Sequence, residues 1–229
     1  MNKLFNNCKK YTLFKYIQNK YLPNSKIDHV AYRSFDKNII INQLENNEFK
    51  KQSDEFNFIR HNAHATWLKN NKCVIPRVFL SEYNNVYSDS NLLNTNIDID
   101  KIDFFIKNEK EILPYDFYLD IHNVNQYLAW TLIYRHYVVN HIAIEVENIE
   151  LIYDKLNKDE IINISDKLQI SEDQKLIQFS TKAEDNLVKF KEGYYNVPAF
   201  FLEFVERKNN RDGFSEKNAD IIFDSTQKK

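Results

Sequence analysis

The stretch Asp28-His29-Val30-Ala31-Tyr32-Arg33-Ser34-Phe35 returns in altered form as Asn140-His141-Ile142-Ala143-Ile144-Glu145-Val146. In each copy a polar residue and then His lead a short apolar run, which reads as a strand. Each run is followed by an amphipathic helical pattern, about 38–46 after the first and 150–157 after the second. A strand-then-helix unit that occurs twice is the signature of a duplicated module. Paired about a pseudo-twofold axis, the two copies would bring His29 and His141 together although they lie far apart in the chain.

The rest of the pattern predicts an α+β protein, a single domain over 1–229 with two strand-helix-strands modules at about 26–83 and 138–207. A first helix is expected over 2–20, a helix around Trp67 and Leu68 in 63–69, and a strand at Arg77–Tyr83 after Pro76. A polar loop follows over 84–96. Two helices, 98–110 and 123–137, form a helical insertion of about 98–137 between the modules. Three short strands are predicted at 161–164, 176–181 and 199–206, and a last amphipathic helix in the tail around Ala219, Ile221, Ile222 and Phe223. No flexible linker is evident.

Composition removes several function classes. The chain carries only Gly193 and Gly213, so neither a Walker A loop nor a GxGxxG turn can be built. Its turns must use Asn, Asp and Ser. Net charge is −2 with Lys and Arg spread along the chain, which leaves no basic stripe for nucleic acid. No apolar run approaches the roughly 20 residues that span a bilayer. Cys8 and Cys73 make no disulfide framework, Cys73 reads as a buried small hydrophobe, and the N-terminus has no secretory pattern. A cytoplasmic protein in a reducing compartment is expected; the oligomeric state stays open.

Two imidazoles converging on one point need one carboxylate to make a site for a mid-series divalent metal with open positions. Phe201-Leu202-Glu203-Phe204-Val205 supplies it, since Glu203 stands in an apolar strand where a leucine would be expected. A buried carboxylate calls for a cation. Taken singly, each residue also fits a plainer role, a hydrogen-bonded core histidine or a carboxylate paired with an Arg. His61 and His64, at i and i+3, read as a solvated helical face, and His122 and His136 as surface or core histidines.

At this point the motifs resemble a known family, the 2-oxoadipate dioxygenase/decarboxylases, which are related to the vicinal oxygen chelate proteins. The resemblance runs through most of the chain. It includes Asp28 to Phe35, Ala65-Thr66-Trp67-Leu68, Pro76-Arg77 through Ser81-Glu82, Tyr127 to Thr131 leading to Asn140-His141, Gln178 to Ala183, and Val197-Pro198 through Arg207. It implies two βαβββ-type modules forming a curved sheet around an Fe(II) site, with His29, His141 and Glu203 as ligands. Arg33 is implied as the substrate-binding and catalytic residue that takes a carboxylate, with Gln178, Ser180 and Thr181 as further contacts. On a strand, i and i+4 share a face about 13 Å apart, and an Arg fork reaches back across that span to pair with a carboxylate. The end of the chain also resembles 4-hydroxyphenylpyruvate dioxygenase-like enzymes, which implies a closing helix over about 214–226 carrying Phe214 and Asn218.

The implied reaction takes a dicarboxylic 2-oxo acid and O2 to a shortened hydroxy acid and CO2. For 2-oxoadipate the product is 2-hydroxyglutarate, a step of lysine breakdown. Long family members carry further segments, so another 2-oxo acid is compatible with the same trio. Other vicinal oxygen chelate activities (isomerase, lyase, extradiol dioxygenase) and a metal-free acid-binding module are the alternatives.

Overall fold

The computed structural model describes residues 8–52, 56–58, 63–83, 96–135, 137–215, 217–219 and 221–222. The first half runs α1 (Cys8–Tyr21), β1 (Lys26–Ser34), α2 (Lys37–Glu45), β2 (Lys50–Lys51), β3 (Phe56–Phe58), β4 (Ala63–Lys69) and β5 (Arg77–Tyr83). Helices α3 (Ile99–Lys107), α4 (Tyr115–Val124) and α5 (Gln126–Tyr134) follow. The second half runs β6 (Tyr137–Glu145), α6 (Ile149–Asn157), β7 (Gln169–Ile170), β8 (Leu176–Ser180), β9 (Glu184–Lys189) and β10 (Tyr194–Arg207).

All ten strands belong to one sheet, in the order β2-β4-β5-β1-β6-β10-β8-β7, with β3 added to β4 and β9 to β10. The two His strands, β1 and β6, are antiparallel neighbours at its centre. Each has a parallel neighbour on its outer side, β5 beside β1 and β10 beside β6. Each of those is in turn flanked by an antiparallel strand, β4 and β8. The halves therefore match about an axis between β1 and β6. The register shows it, with His29 opposite Ala143 and Ala31 opposite His141. The duplicated strand-helix unit thus yields the pairing its sequence predicts, and the architecture is the α+β, vicinal oxygen chelate-like one.

Helices cover one face of the sheet. Ile17 of α1 and Ile149, Ile152 and Leu156 of α6 pack on Ile142, Leu202, Phe204 and Phe179. Ile40 and Ile41 of α2 pack on Leu68, Val78 and Leu80. Burying side chains of this size contributes about 1.5–3 kcal/mol each. Helices α3 to α5 make a second core around Phe105, Phe117, Ile121 and Leu128, closed by Phe190 and Val197 of the β9–β10 hairpin. With so few glycines, Asp36, Asp98, Asn125 and Asn148 cap α2, α3, α5 and α6 through side-chain acceptors. No described helix is long and apolar enough to cross a membrane.

Several local expectations need correction. Residues 63–69 form β4, not a helix. Ala65 and Trp67 face one side and Leu68 the other, so the strand is buried on both faces and loses its alternation. His64 consequently sits on a strand, where its Nε2 meets Glu82 Oε1 at 2.5 Å; His61 and His136 lie outside the described residues. The expected helix over 123–137 is the shorter α5, and α4 at Tyr115–Val124 is an additional helix; Asn125 ends α4 and caps α5. Residues 161–164 contribute only a bridge from Ile164 to Thr181. β7 and the polar edge strand β9 are additional, and β10 begins earlier than expected. Cys73 is exposed. In the tail, residues 217–219 and 221–222 are helical while Phe214 and Ser215 precede the helix. The N-terminal residues 1–7, residues 84–95 of the expected loop over 84–96 and the tail from Phe223 lie outside the described residues.

Candidate metal centre

The two histidines owe their aim to irregularities in the central strand pair. Between Ile27 and His29 the register shifts, so Asp28 is an extra residue on β1; between Ala31 and Tyr32 it shifts again, so Asn140 is an extra residue on β6. Such bulges turn a side chain that alternation would send to the far face. Both extra residues immediately precede a histidine, and both contact its ring. Asp28 Oδ1 lies 2.7 Å from His29 Nδ1, and Asn140 Oδ1 lies 3.0 Å from His141 Nδ1. Each Nδ1–H donates to that oxygen, so in the neutral imidazole each Nε2 keeps its lone pair, turned inward.

Those lone pairs meet a carboxylate. His29 Nε2 and His141 Nε2 are 3.1 Å apart. Glu203 Oε2 lies 3.5 Å from the first and 3.1 Å from the second. Register explains the arrival of Glu203, since Phe201 of β10 pairs with His141 and Glu203 with Ala143. Neighbouring ligands on an octahedral ion with bonds of about 2.1 Å lie about 3.0 Å apart, close to the three separations here. Among the described residues this is the one cluster of three such side chains suited to a metal ion. The residues present fit a divalent cation.

The charges of the metal-free cluster follow from its packing. Burial works against the Asp28 carboxylate, but Arg207 and His29 outweigh it and hold its pKa far below the usual range. Burial likewise opposes Glu203 ionisation, and the two imidazoles overcome it, holding its pKa at about 2. His29 is pushed down by burial and, more strongly, up by Asp28 and Glu203, so its pKa is raised. For His141, burial together with repulsion from His29 and Arg33 prevails over Glu203 and lowers it.

A second ring of residues holds these groups. Gln178 Nε2 donates to Glu203 Oε1, leaving Oε2 to the histidines, and Asn218 Nδ2 donates to Gln178 Oε1 at 2.9 Å. Asp28 accepts from Arg207 Nε at 2.6 Å and Nη2 at 2.9 Å, and from Arg77 Nη1 at 3.2 Å. Arg207 also donates to Gly213 O at 2.7 Å, and Arg77 to Asp212 at 2.9 Å. The arginines that fix Asp28 therefore also fix the segment leading to Phe214. That ring packs edge-on against His29 at 4.9 Å and touches Trp67 and Phe79.

Arg33 is only 3 % exposed and opens into the same cavity as the trio, whose wall also includes Phe79, Tyr127, Asn140, Gln178, Phe201 and Phe214. Its guanidinium lies 4.1 Å from the Tyr127 ring centre and 4.3 Å from that of Trp130, both on α5. Burial lowers its pKa to about 10 against the upward pull of Tyr127, so it stays cationic at neutral pH. Ser180 and Thr181 do not line the cavity. Ser180 pairs with Glu203 in register, and Thr181 Oγ1 accepts from Leu202 N at 3.0 Å. Asp28, Asn140, Arg207, Tyr127 and Trp130 were not singled out as site residues from the sequence. The polar residue ahead of each His was the available signal for the first two.

Three comparisons bear on this arrangement. Residues 94–209, just over half of the chain, match the family profile of the 2-oxoadipate dioxygenase/decarboxylases; His141 and Glu203 fall inside that stretch and His29 and Arg33 before it. The chloroplastic 2-oxoadipate dioxygenase/decarboxylase of Arabidopsis thaliana is 31% identical over an alignment covering 44% of this chain and 34% of that protein. The match thus spans about a third of the relative's length. Among solved structures, the hydroxyglutarate synthase of Oryza sativa in complex with 2-oxoadipate superposes with a TM-score of 0.77 at 23% identity, covering 98% of this chain and 88% of that one. A putative glyoxalase superfamily protein from Ralstonia eutropha superposes at 0.67 with 14% identity, over 90% of this chain and 84% of that one, which shows the shared fold. With one sheet, two matched halves and a profile match over more than half its length, the chain belongs to the 2-oxoadipate dioxygenase/decarboxylase family.

Proposed function

We propose that this chain is an Fe(II)-dependent dioxygenase that decarboxylates a dicarboxylic 2-oxo acid, 2-oxoadipate first among them, yielding 2-hydroxyglutarate and CO2. The observation that carries the reading is the convergence of His29 Nε2, His141 Nε2 and Glu203 Oε2 in a cavity that also holds a buried guanidinium. The names of the plant relatives and the 2-oxoadipate in the rice protein support the same substrate. In the balanced reaction the C1–C2 bond breaks and C1 leaves as CO2. One atom of O2 ends in the new carboxylate and the other in the new hydroxyl.

Fe(II) held by the trio would supply open positions for the acid and O2, together with the redox chemistry. The chain's own residues do the rest. Asp28 and Asn140 keep both imidazoles in the Nδ1–H tautomer, and Gln178 keeps one Glu203 oxygen occupied. Arg33, held by Tyr127 and Trp130, offers a fork to the carboxylate remote from the 2-oxo group. Phe79, Phe201 and Phe214 line the cavity and exclude water from a reactive site.

The test is anaerobic loading with Fe(II), then oxygen uptake with a panel of 2-oxo acids. Equal amounts of O2 consumed, CO2 released and 2-hydroxyglutarate formed from 2-oxoadipate are expected, and all three are lost in His141→Ala. Uptake that survives His141→Ala unchanged overturns the reading. Arg33→Ala is expected to raise KM for dicarboxylic substrates at least about tenfold. An unchanged KM would remove Arg33 from the substrate site.

A further inference from the structure

We infer that Asn140 works at both ends: Oδ1 sets the tautomer of His141, and Nδ2 donates a hydrogen bond to an oxygen of the 2-oxo acid. This rests on the function proposed above. Asn140 is 4 % exposed and forms part of the cavity wall, where the bulge in β6 has turned it to the same side as His141. Its Oδ1 is occupied by His141 Nδ1, while its buried Nδ2 has no hydrogen-bond partner among the described residues. A buried donor left open in this way is costly, and it persists in a native protein where something else completes it.

The pseudo-symmetric half-site explains why the residue is Asn. At the equivalent bulge, Asp28 does the same work for His29, so a carboxylate serves equally well as the acceptor for an imidazole. The remaining capacity of Asp28 is filled by Arg207 and Arg77. Among the described residues no cation bonds Asn140. A carboxylate there would add negative charge to a wall that already carries Glu203, facing an anionic substrate. The amide keeps the acceptor for His141 and turns the remaining valence into a donor, in the cavity that Arg33 also lines. Asn140 is thus a positioning residue for the metal ligand and a binding residue for the acid.

The test uses the full chain loaded with Co(II), whose visible absorption reports both metal uptake and displacement by an added acid without turnover. Wild type, Asn140→Asp and Asn140→Leu are titrated with Co(II), then with 2-oxoadipate. Asn140→Asp is expected to hold Co(II) within about threefold of wild type and to bind 2-oxoadipate at least about tenfold more weakly. Asn140→Leu is expected to lose about tenfold or more in Co(II) affinity as well, because His141 loses its orienting acceptor. Acid binding by Asn140→Asp equal to wild type overturns the inference and leaves the proposed function standing. Wild-type protein that takes up Co(II) but no 2-oxo acid overturns the substrate reading and this inference with it.

Discussion

Asp28 accepts four hydrogen bonds from three side chains, one from His29, one from Arg77 and two from Arg207, and has no exposed surface. Removing one charge from a buried pair leaves the other uncompensated, at about 3–5 kcal/mol. Asp28→Asn is therefore expected to lower stability by roughly 3 kcal/mol and metal affinity about tenfold to a hundredfold, read by urea unfolding and metal titration. A sign follows for pH. The folded pKa of Asp28 is depressed, so its contribution is complete above the unfolded value of about 3.9 and drains away as pH falls below it. Glu203 acts in the same direction, with its folded pKa at about 2. Acid unfolding of the metal-free protein should thus be shallower in Asp28→Asn than in wild type, and identical profiles would contradict this role. At this scale the metal trio was legible, since each member is a polar residue inside an apolar run. The bulges were not, because register belongs to a pair of strands and not to either sequence alone.

At the level of elements the duplication explains why, among the described residues, the candidate centre offers three ligand side chains and not four. Glu203 of β10 pairs with Ala143, two residues beyond His141; the matching place on β5 is Phe79, which pairs with Ala31, two residues beyond His29. An apolar ring thus stands where symmetry would put a second carboxylate, and it packs on Phe214 at 4.8 Å. Phe79→Glu is expected to leave metal affinity intact or tighter and to reduce oxygen uptake at least about a hundredfold, since a fourth ligand takes an open position. Undiminished uptake in a folded variant would refute the symmetry argument. Phe214→Ala should speed hydrogen exchange in residues 211–219 and increase 2-oxo acid consumed per 2-hydroxyglutarate formed. If both stay at wild-type values, the segment does not close the site. Strand β4 shows why elements were harder to read than residues. A strand buried on both faces carries no period, and Ala63, Ala65, Leu68 and Lys69 are helix formers that mask the strand preference of Thr66 and Trp67. β9, partly exposed and mostly polar, carried only Leu187 and Val188 as apolar signal, too short a run to show a period.

Across the whole molecule, one pseudo-twofold axis arranges the chemistry. It brings two histidines from distant segments to one point, and departures from it give the site direction. Arg33 is buried on β1, whereas Glu145, four residues after His141, is exposed on β6. Asp28 is neutralised by arginines, whereas Asn140 presents a donor to the cavity. The central claim is that His29, His141 and Glu203 together hold one Fe(II) that accepts a 2-oxo dicarboxylate. The most direct measurement is an anaerobic Fe(II) titration in the presence of 2-oxoadipate, following the visible charge-transfer band of a chelated 2-oxo acid. One Fe(II) per chain with a saturable band is expected, absent in Glu203→Ala and shifted to higher acid concentration in Arg33→Ala. Protein that retains no metal, or a band that persists unchanged in Glu203→Ala, would contradict it.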